Sequence, residues 1–176
     1  MRKIILLGYM GSGKTTVGKI LSQKIHIPAY DLDEIIEESE QAGIPEIFSS
    51  KGEIWFRKAE HKALMVQLQR PESFILSLGG GTPCYANNHE FLKQEDVISI
   101  YLKATVGTLM QRLREGISGR PLITSISEQE QSDYIAAHLF ERSFYYNQAR
   151  FKINTDALTP EGVAQEIIKL LAQVGD

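Results

Sequence analysis

The segment Gly8-Tyr9-Met10-Gly11-Ser12-Gly13-Lys14-Thr15 brings together the residue types that hold a polyphosphate. It reads G-x-x-x-x-G-K-T and lies between the apolar run Ile4–Leu7 and an amphipathic stretch, the strand-to-helix setting that the pattern requires. Its glycines let the backbone turn with N–H groups pointing inward, forming an anion-binding nest. A helix starting near Lys14 adds the positive end of its dipole. The Lys14 ammonium suits the β- and γ-phosphates, and the Thr15 hydroxyl suits Mg²⁺. Gly11, Ser12, Gly13, Lys14, Thr15 and Thr16 are therefore the expected nucleotide-binding residues. An ordinary glycine-rich turn is the plainer alternative, but the flanking elements favour a nucleoside triphosphate.

Two further constellations could act on the substrate of such a loop. In Asp31-Leu32-Asp33, the i, i+2 spacing in extended chain puts both carboxylates on one side of the backbone. One could hold Mg²⁺ directly or through water while the other meets an acceptor hydroxyl. Alternatively, Asp33 is only the N-cap of the next helix and Asp31 is solvated. The second constellation is Gly79-Gly80-Gly81, directly after Phe74–Leu78. Three glycines in a row are costly in conformational entropy, so close approach of backbone N–H groups to a ligand is a better reading than a simple tight turn. No N-K-x-D or D-x-x-G segment of a GTP switch occurs, nor a G-F-P-R segment of adenylate-kinase type. After residue 60, no apolar run ends in the acid of a standard Walker B strand. These absences favour a small-molecule kinase.

The elements that must position these groups follow from periodicity. Strands are expected at Ile4–Leu7, Phe74–Leu78, Val97–Leu102 and Phe151–Ile153, with a short extended stretch at 27–30. Helical patterns cover 15–27, 34–41, 53–69, 105–115 and 130–149, with a last helix near 160–173 introduced by Thr159-Pro160-Glu161. Alternating β and α units imply a parallel sheet covered on both faces, with ligands at the carboxyl ends of the strands. The chain has 176 residues, 43% hydrophobic and 23% charged, so one domain with a core of its own is expected. A net charge of −3 argues against a nucleic-acid binder, and the single Cys84 favours a reducing cytoplasm. Ile4–Leu7 is too short for a membrane span.

The ordered set of motifs resembles the shikimate kinase family over nearly the whole chain. It comprises GYMGSGKTT at 8–16, DLD at 31–33, GEIWFRKAE at 52–60, LGGG at 78–81, GRPL at 119–122 and ERSFYY at 141–146. The resemblance implies a P-loop NTPase of nucleoside-monophosphate-kinase type. That fold is a three-layer α/β sandwich with a central parallel sheet, an acceptor-binding insertion at about 33–60 and a mobile lid at about 112–126. It implies transfer of the ATP γ-phosphoryl group to the 3-hydroxyl of shikimate, with Mg²⁺, by a cytoplasmic monomer that needs neither nucleic acid nor membrane. Lys14, Asp33 and Arg120 would be catalytic, Asp33 by polarising the attacking hydroxyl and Arg120 by closing over the phosphates. Arg57 and Arg142 would clasp the shikimate carboxylate, Gly79, Gly80 and Gly81 would add backbone donors, and Asp31 would belong to the Mg²⁺ water shell beside Thr15.

Residue chemistry agrees with these implied roles. An arginine fork matches a carboxylate, and Glu60, three residues after Arg57 on a helix, can hold the guanidinium; a surface ion pair is the alternative. Phe48 and Phe56 are expected to wall the acceptor pocket. The chain departs from the family at Thr155–Thr159, which lacks a basic residue near the adenine, so adenine contacts are expected from Arg112 and from backbone around Pro160. His26, His61, His89 and His138 show no metal-ligand spacing and are expected at the surface or as caps; Cys84 is expected to be a packed bystander. Two alternatives remain at this level: another small-molecule kinase such as a gluconate kinase, and a nucleotide-binding regulator without catalysis.

Overall fold

The computed structural model describes residues 2–115 and 127–174. Five strands, β1 (Lys3–Leu7), β2 (Ala29–Asp31), β3 (Phe74–Ser77), β4 (Val97–Lys103) and β5 (Phe151–Asn154), form one parallel sheet in the order β2-β3-β1-β4-β5. The register sets one row of residues across all five strands: Asp31, Ser77, Leu6, Ile100 and Phe151. The phosphate loop, the Asp-Leu-Asp segment and the triple glycine each follow within a few residues of that row. Shared register therefore brings segments 70 residues apart in sequence to one end of the sheet, where ligands of parallel α/β sheets bind.

Strand alternation divides the core between the two faces. On β1, Ile5 and Leu7 face one cluster, which α2 (Leu32–Glu40), α3 (Ile44–Leu68), α4 (Val106–Glu115) and α5 (Glu128–Tyr146) complete with Leu32, Phe56, Leu109 and Ile135. Ile4 and Leu6 face the other, completed by Val17 and Leu21 of α1 (Lys14–Ile25) and by Val163 and Ile167 of α6 (Pro160–Gln173). This is the three-layer P-loop sandwich that the sequence implies. The near-continuous apolar character of β1, β3 and β4 reflects burial on both faces. Ser99, fully buried in β4, is satisfied by donating to the Leu92 carbonyl at 2.7 Å and accepting from the Arg150 N–H at 2.9 Å.

Several boundaries differ from the sequence reading. Helix α3 begins at Ile44, not near 53, because Pro45 opens a helical turn and Gly52 joins two helical pieces across a kink at φ 79°, ψ 169°. Arg112–Glu115, assigned to the lid, are the last turn of α4. Helix α5 starts at Glu128 behind a capping box in which Ser127 and Glu130 exchange hydrogen bonds. The rest of the expected lid, 116–126, including Arg120 and the GRPL segment, lies outside the described residues. Two short 3₁₀ turns, Thr82–Cys84 and Asn88–Lys93, fill the connection from β3 to β4.

The kink predicts a pair of opposite effects. Gly52 adopts a backbone conformation essentially reserved for glycine, although nothing lies within 4 Å of an added Cβ. Gly52→Ala should therefore destabilise the fold by about 1–3 kcal/mol through conformation alone. Gly107→Ala, equally uncrowded but in helical backbone at an exposed position of α4, should stabilise it by about 0.4–1 kcal/mol. Urea midpoints of the two variants check this; an unchanged midpoint for Gly52→Ala would mean that the kink is not required.

Candidate active site

The phosphate loop crosses from β1 to α1 with positive φ at Gly8, Gly11 and Gly13. At Gly8 the need is also spatial, since a Cβ would fall 2.7 Å from the Leu102 carbonyl oxygen on the neighbouring strand. Gly13, at φ 94°, is the N-cap of α1 and makes no side-chain cap, and no acid occupies the first turn. The N-terminal amides and their partial positive charge are thus left for an anion. Lys14 Nζ donates to the carbonyls of Gly8 (2.9 Å) and Tyr9 (3.0 Å), bracing the loop from within. A cleft of about 490 Å³ runs along the loop and is also lined by Asp31, Asp33, Gly79, Gly80 and Arg112.

The two aspartates have distinct roles. Helix α2 starts at Leu32, so Asp31 is its N-cap, and its Oδ1 accepts from the Asp33 N–H at 3.0 Å. Asp31 Oδ2 accepts from the Thr15 hydroxyl at 2.6 Å. The capping alternative thus falls to Asp31 instead of Asp33, and Asp31 is tied to the loop instead of solvated. Asp33, one position into the helix, turns its carboxylate to the cleft. Burial, reinforced by the charges of Asp31 and Glu60 and opposed by Lys14, pushes its pKa up to about 6.

At the other end, the triple glycine serves side chains. None of the three has positive φ. A Cβ at Gly79 would lie 2.8 Å from Glu60 Oε1 and 2.9 Å from both Asp33 Oδ1 and Thr82 Oγ1; one at Gly80 would lie 3.3 Å from an Arg142 nitrogen; one at Gly81 would lie 2.6 Å from an Arg57 nitrogen. The close approach expected of a ligand is thus made by the protein's own functional groups. Arg57 donates to Glu60 Oε2 at 2.6 Å and to Glu53 Oε1 at 3.2 Å. Burial disfavours the charged guanidinium, but Glu60 and Glu53 together more than offset this, so its pKa is raised. Glu60 is 1% exposed, which removes the surface-pair alternative. On α5, the Arg142 guanidinium carbon lies 5.5 Å from the Tyr9 ring centre, and one turn later the Tyr146 hydroxyl donates to the Gly80 carbonyl at 2.6 Å. Arg57, Arg142 and Gly81 do not line the main cleft; they cluster beside it, around Gly80 and Gly81.

Arg112 reaches across the cleft to the turn before α6. It donates to the Thr155 carbonyl at 2.6 Å, to the Thr155 hydroxyl at 3.0 Å and to the Ser12 carbonyl at 3.5 Å. Leu158, Pro160 and Val163 line the same end, so Arg112 and the Pro160 turn sit together as expected. Phe56 is buried in the core with the Phe48 ring centre 4.5 Å from its own, and its ring centre lies 5.6 Å from the Arg57 guanidinium carbon, beside the arginine cluster and away from the phosphate-loop cleft. His26 is a left-handed cap, but His89 is buried and His138 Nδ1 shares a 3.2 Å hydrogen bond with the Tyr9 hydroxyl. Burial raises the Cys84 thiol to about 11, which keeps it protonated and inert. Among the described residues, no group of three or more His, Cys, Asp or Glu could hold a metal ion, and no helix is long and apolar enough to cross a membrane.

Sequence reasoning missed Thr82 and Asn88, which pack behind Glu60. Neither has a periodic or motif signal beyond Thr82 following the glycines.

The raised pKa of Asp33 links acidity to stability. Its carboxyl titrates near 3.8 when unperturbed and near 6 in the fold, so ionisation is harder in the folded state. Its contribution to stability therefore falls as pH rises from 3.8 to about 6 and stays low above that. Asp33→Asn should raise the melting temperature more at pH 7.5 than at pH 4.5. An equal gain at both pH values would refute the shift.

A family model described as shikimate kinase matches residues 10–172. Shikimate kinase from Flavobacterium johnsoniae is 50% identical over 172 residues, covering 98% of this chain and 100% of the relative. Among solved structures, shikimate kinase from Bacteroides thetaiotaomicron superposes with a TM-score of 0.89 at 33% identity, covering 97% of this chain and 98% of the other. Shikimate kinase from Acinetobacter baumannii, solved in complex with shikimate, gives a TM-score of 0.86 at 33% identity, with coverage of 98% and 94%.

Proposed function

We infer how this chain works from one premise: it belongs to the shikimate kinase family. It transfers the γ-phosphoryl group of ATP to the 3-hydroxyl of shikimate, giving shikimate 3-phosphate and ADP in chorismate and aromatic amino-acid biosynthesis. The assignment of roles to residues is our proposal. The observation that carries it is the placement of Arg57 and Arg142 against consecutive glycines, beside the cleft that holds Lys14 and Asp33.

In this reading the phosphate loop, from Gly11 to Thr16, cradles the triphosphate with backbone N–H groups, and Lys14 carries charge to its β- and γ-oxygens. Arg57 and Arg142 clasp the shikimate carboxylate, and the backbone of Gly79–Gly81 seats the ring. The 3-hydroxyl faces Asp33, whose pKa near 6 suits a group that is ionised at neutral pH yet able to take a proton. As the hydroxyl oxygen bonds to the γ-phosphorus, its proton passes to Asp33, and the bond from phosphorus to the β–γ bridging oxygen breaks, releasing ADP. Arg112 and the Pro160 turn hold the adenine, and Arg120 closes over the phosphates from the lid.

The donor set at Thr15 and Asp31 fits Mg²⁺. Both are hard oxygen groups, 2.6 Å apart and lining the cleft, and Mg²⁺ is usually held by one or two such groups together with waters and substrate phosphates. When bound there it would neutralise phosphate charge, with Asp31 acting through water. We further infer one kinase domain with an acceptor-binding insertion at 33–60. It works in the cytoplasm as a monomer on small molecules, without nucleic acid or membrane.

The arginine pair separates shikimate from uncharged acceptors. Each arginine contributes charge-assisted hydrogen bonds worth about 1.5–3 kcal/mol, so losing either should weaken shikimate roughly 10- to 150-fold. Lysine at position 57 or 142 should rescue only partly, because a point charge cannot reproduce the fork. Titration of each mutant with shikimate and with an analogue lacking the carboxyl group checks this. If either alanine mutant still prefers the acid as wild type does, that arginine is not part of the clasp.

A further inference from the structure

Behind Arg57, a closed ring of polar groups, buried except at His61, joins α3 to the turn that follows the triple glycine. Glu60 divides its carboxylate: Oε2 accepts from Arg57 and Oε1 from the Thr82 hydroxyl, both at 2.6 Å. The Thr82 carbonyl accepts from Asn88 Nδ2 at 2.8 Å, and Asn88 Oδ1 accepts from His61 Nδ1 at 2.7 Å. His61 follows Glu60 directly on α3, so the path returns to the helix that it left. Glu60, Thr82 and Asn88 are each at most 1% exposed.

Such burial makes the division of Glu60 matter. A buried carboxylate oxygen without a partner carries a desolvation cost and seeks another donor. The guanidinium of Arg57 lies close by, and so does whatever hydroxyl Asp33 engages, since Glu60 Oε1 and Asp33 Oδ1 crowd the same point at Gly79. With the Thr82 hydroxyl on Oε1, only Oε2 is left to Arg57, and the guanidinium is held in one orientation against Gly81.

We propose that Thr82, seated by Asn88, is a positioning residue of the acceptor site: it fixes Glu60 so that Arg57 presents its fork to the shikimate carboxylate. The inference rests on the reading of Arg57 as half of the carboxylate clasp. Thr82 touches no reacting atom. Its effect therefore runs through Arg57 and appears in acceptor binding rather than in the chemical step.

The test is steady-state kinetics on Thr82→Val, which keeps the shape and removes the hydroxyl, beside Thr82→Ser, which keeps the hydroxyl. Thr82→Val should raise the KM for shikimate about 10-fold, while the KM for ATP and kcat stay near wild type. Thr82→Ser should restore the KM. The carboxyl-lacking analogue should not distinguish Thr82→Val from wild type, and in an Arg57→Ala background Thr82→Val should add little further loss. Should the valine variant not fold, Thr82→Ala against Thr82→Ser carries the same contrast. A shikimate KM like wild type, an equal loss with the analogue, or full additivity with Arg57→Ala overturns the proposal while the clasp stands. An Arg57→Ala enzyme that keeps the wild-type preference for the acid removes the clasp, and this inference with it.

Discussion

Three successive positions without a Cβ hold the acceptor side of this molecule together. Gly79 leaves room for Glu60, Asp33 and Thr82, Gly80 for Arg142, and Gly81 for Arg57. These groups come from α2, α3, α5 and the turn after β3; a side chain at Gly79 or Gly81 would collide with them, and one at Gly80 would press on Arg142. Even an alanine would have to displace a charged group that is already hydrogen-bonded or buried. The entropic cost of three consecutive glycines is thus offset by the convergence they permit.

Convergence of charge has an electrostatic consequence. Asp31, Asp33 and Glu60 place three carboxylates around a short stretch of backbone, and Lys14 and Arg57 answer them from opposite ends. Asp31 is tied to Thr15 and to the α2 N-terminus, and Glu60 to Arg57 and Thr82. Asp33 lies beside these charges, and burial, reinforced by the repulsion of Asp31 and Glu60, raises its pKa. A group unfavourable to the fold when ionised is also the one suited to receive a proton, so reactivity and instability reside in the same atom.

Much of this was legible because it is local. The phosphate loop is contiguous, its flanking strand and helix carry the expected periodicities, and the capping sequence at Thr159-Pro160 marks α6 where it begins. Residues paired across the sheet were harder to place. The spacing of Asp31 and Asp33 identified both as candidates, but α2 starts at Leu32, two residues before the expected 34, and that decided which one caps. Arg57 and Glu60 were visible as a pair at helical spacing, whereas burial, which sequence alone does not give, decides that the pair is more than a surface contact. Thr82 and Asn88 were not legible, because their importance comes from hydrogen bonds formed only after β3, α3 and the following turn have packed.

The anchorage of α5 has a mechanical side. The helix is fixed near its C-terminus, where Tyr146 bonds to Gly80, and begins 18 residues earlier at Glu128. At 1.5 Å of rise per residue, Glu128 lies about 27 Å from that pivot and Arg142 about 6 Å from it. A rigid rod turning about Tyr146 would therefore move Arg142 by roughly a fifth of any displacement at Glu128. Arg142 sits on the short arm of a lever, geared down from whatever happens at the far end of its own helix.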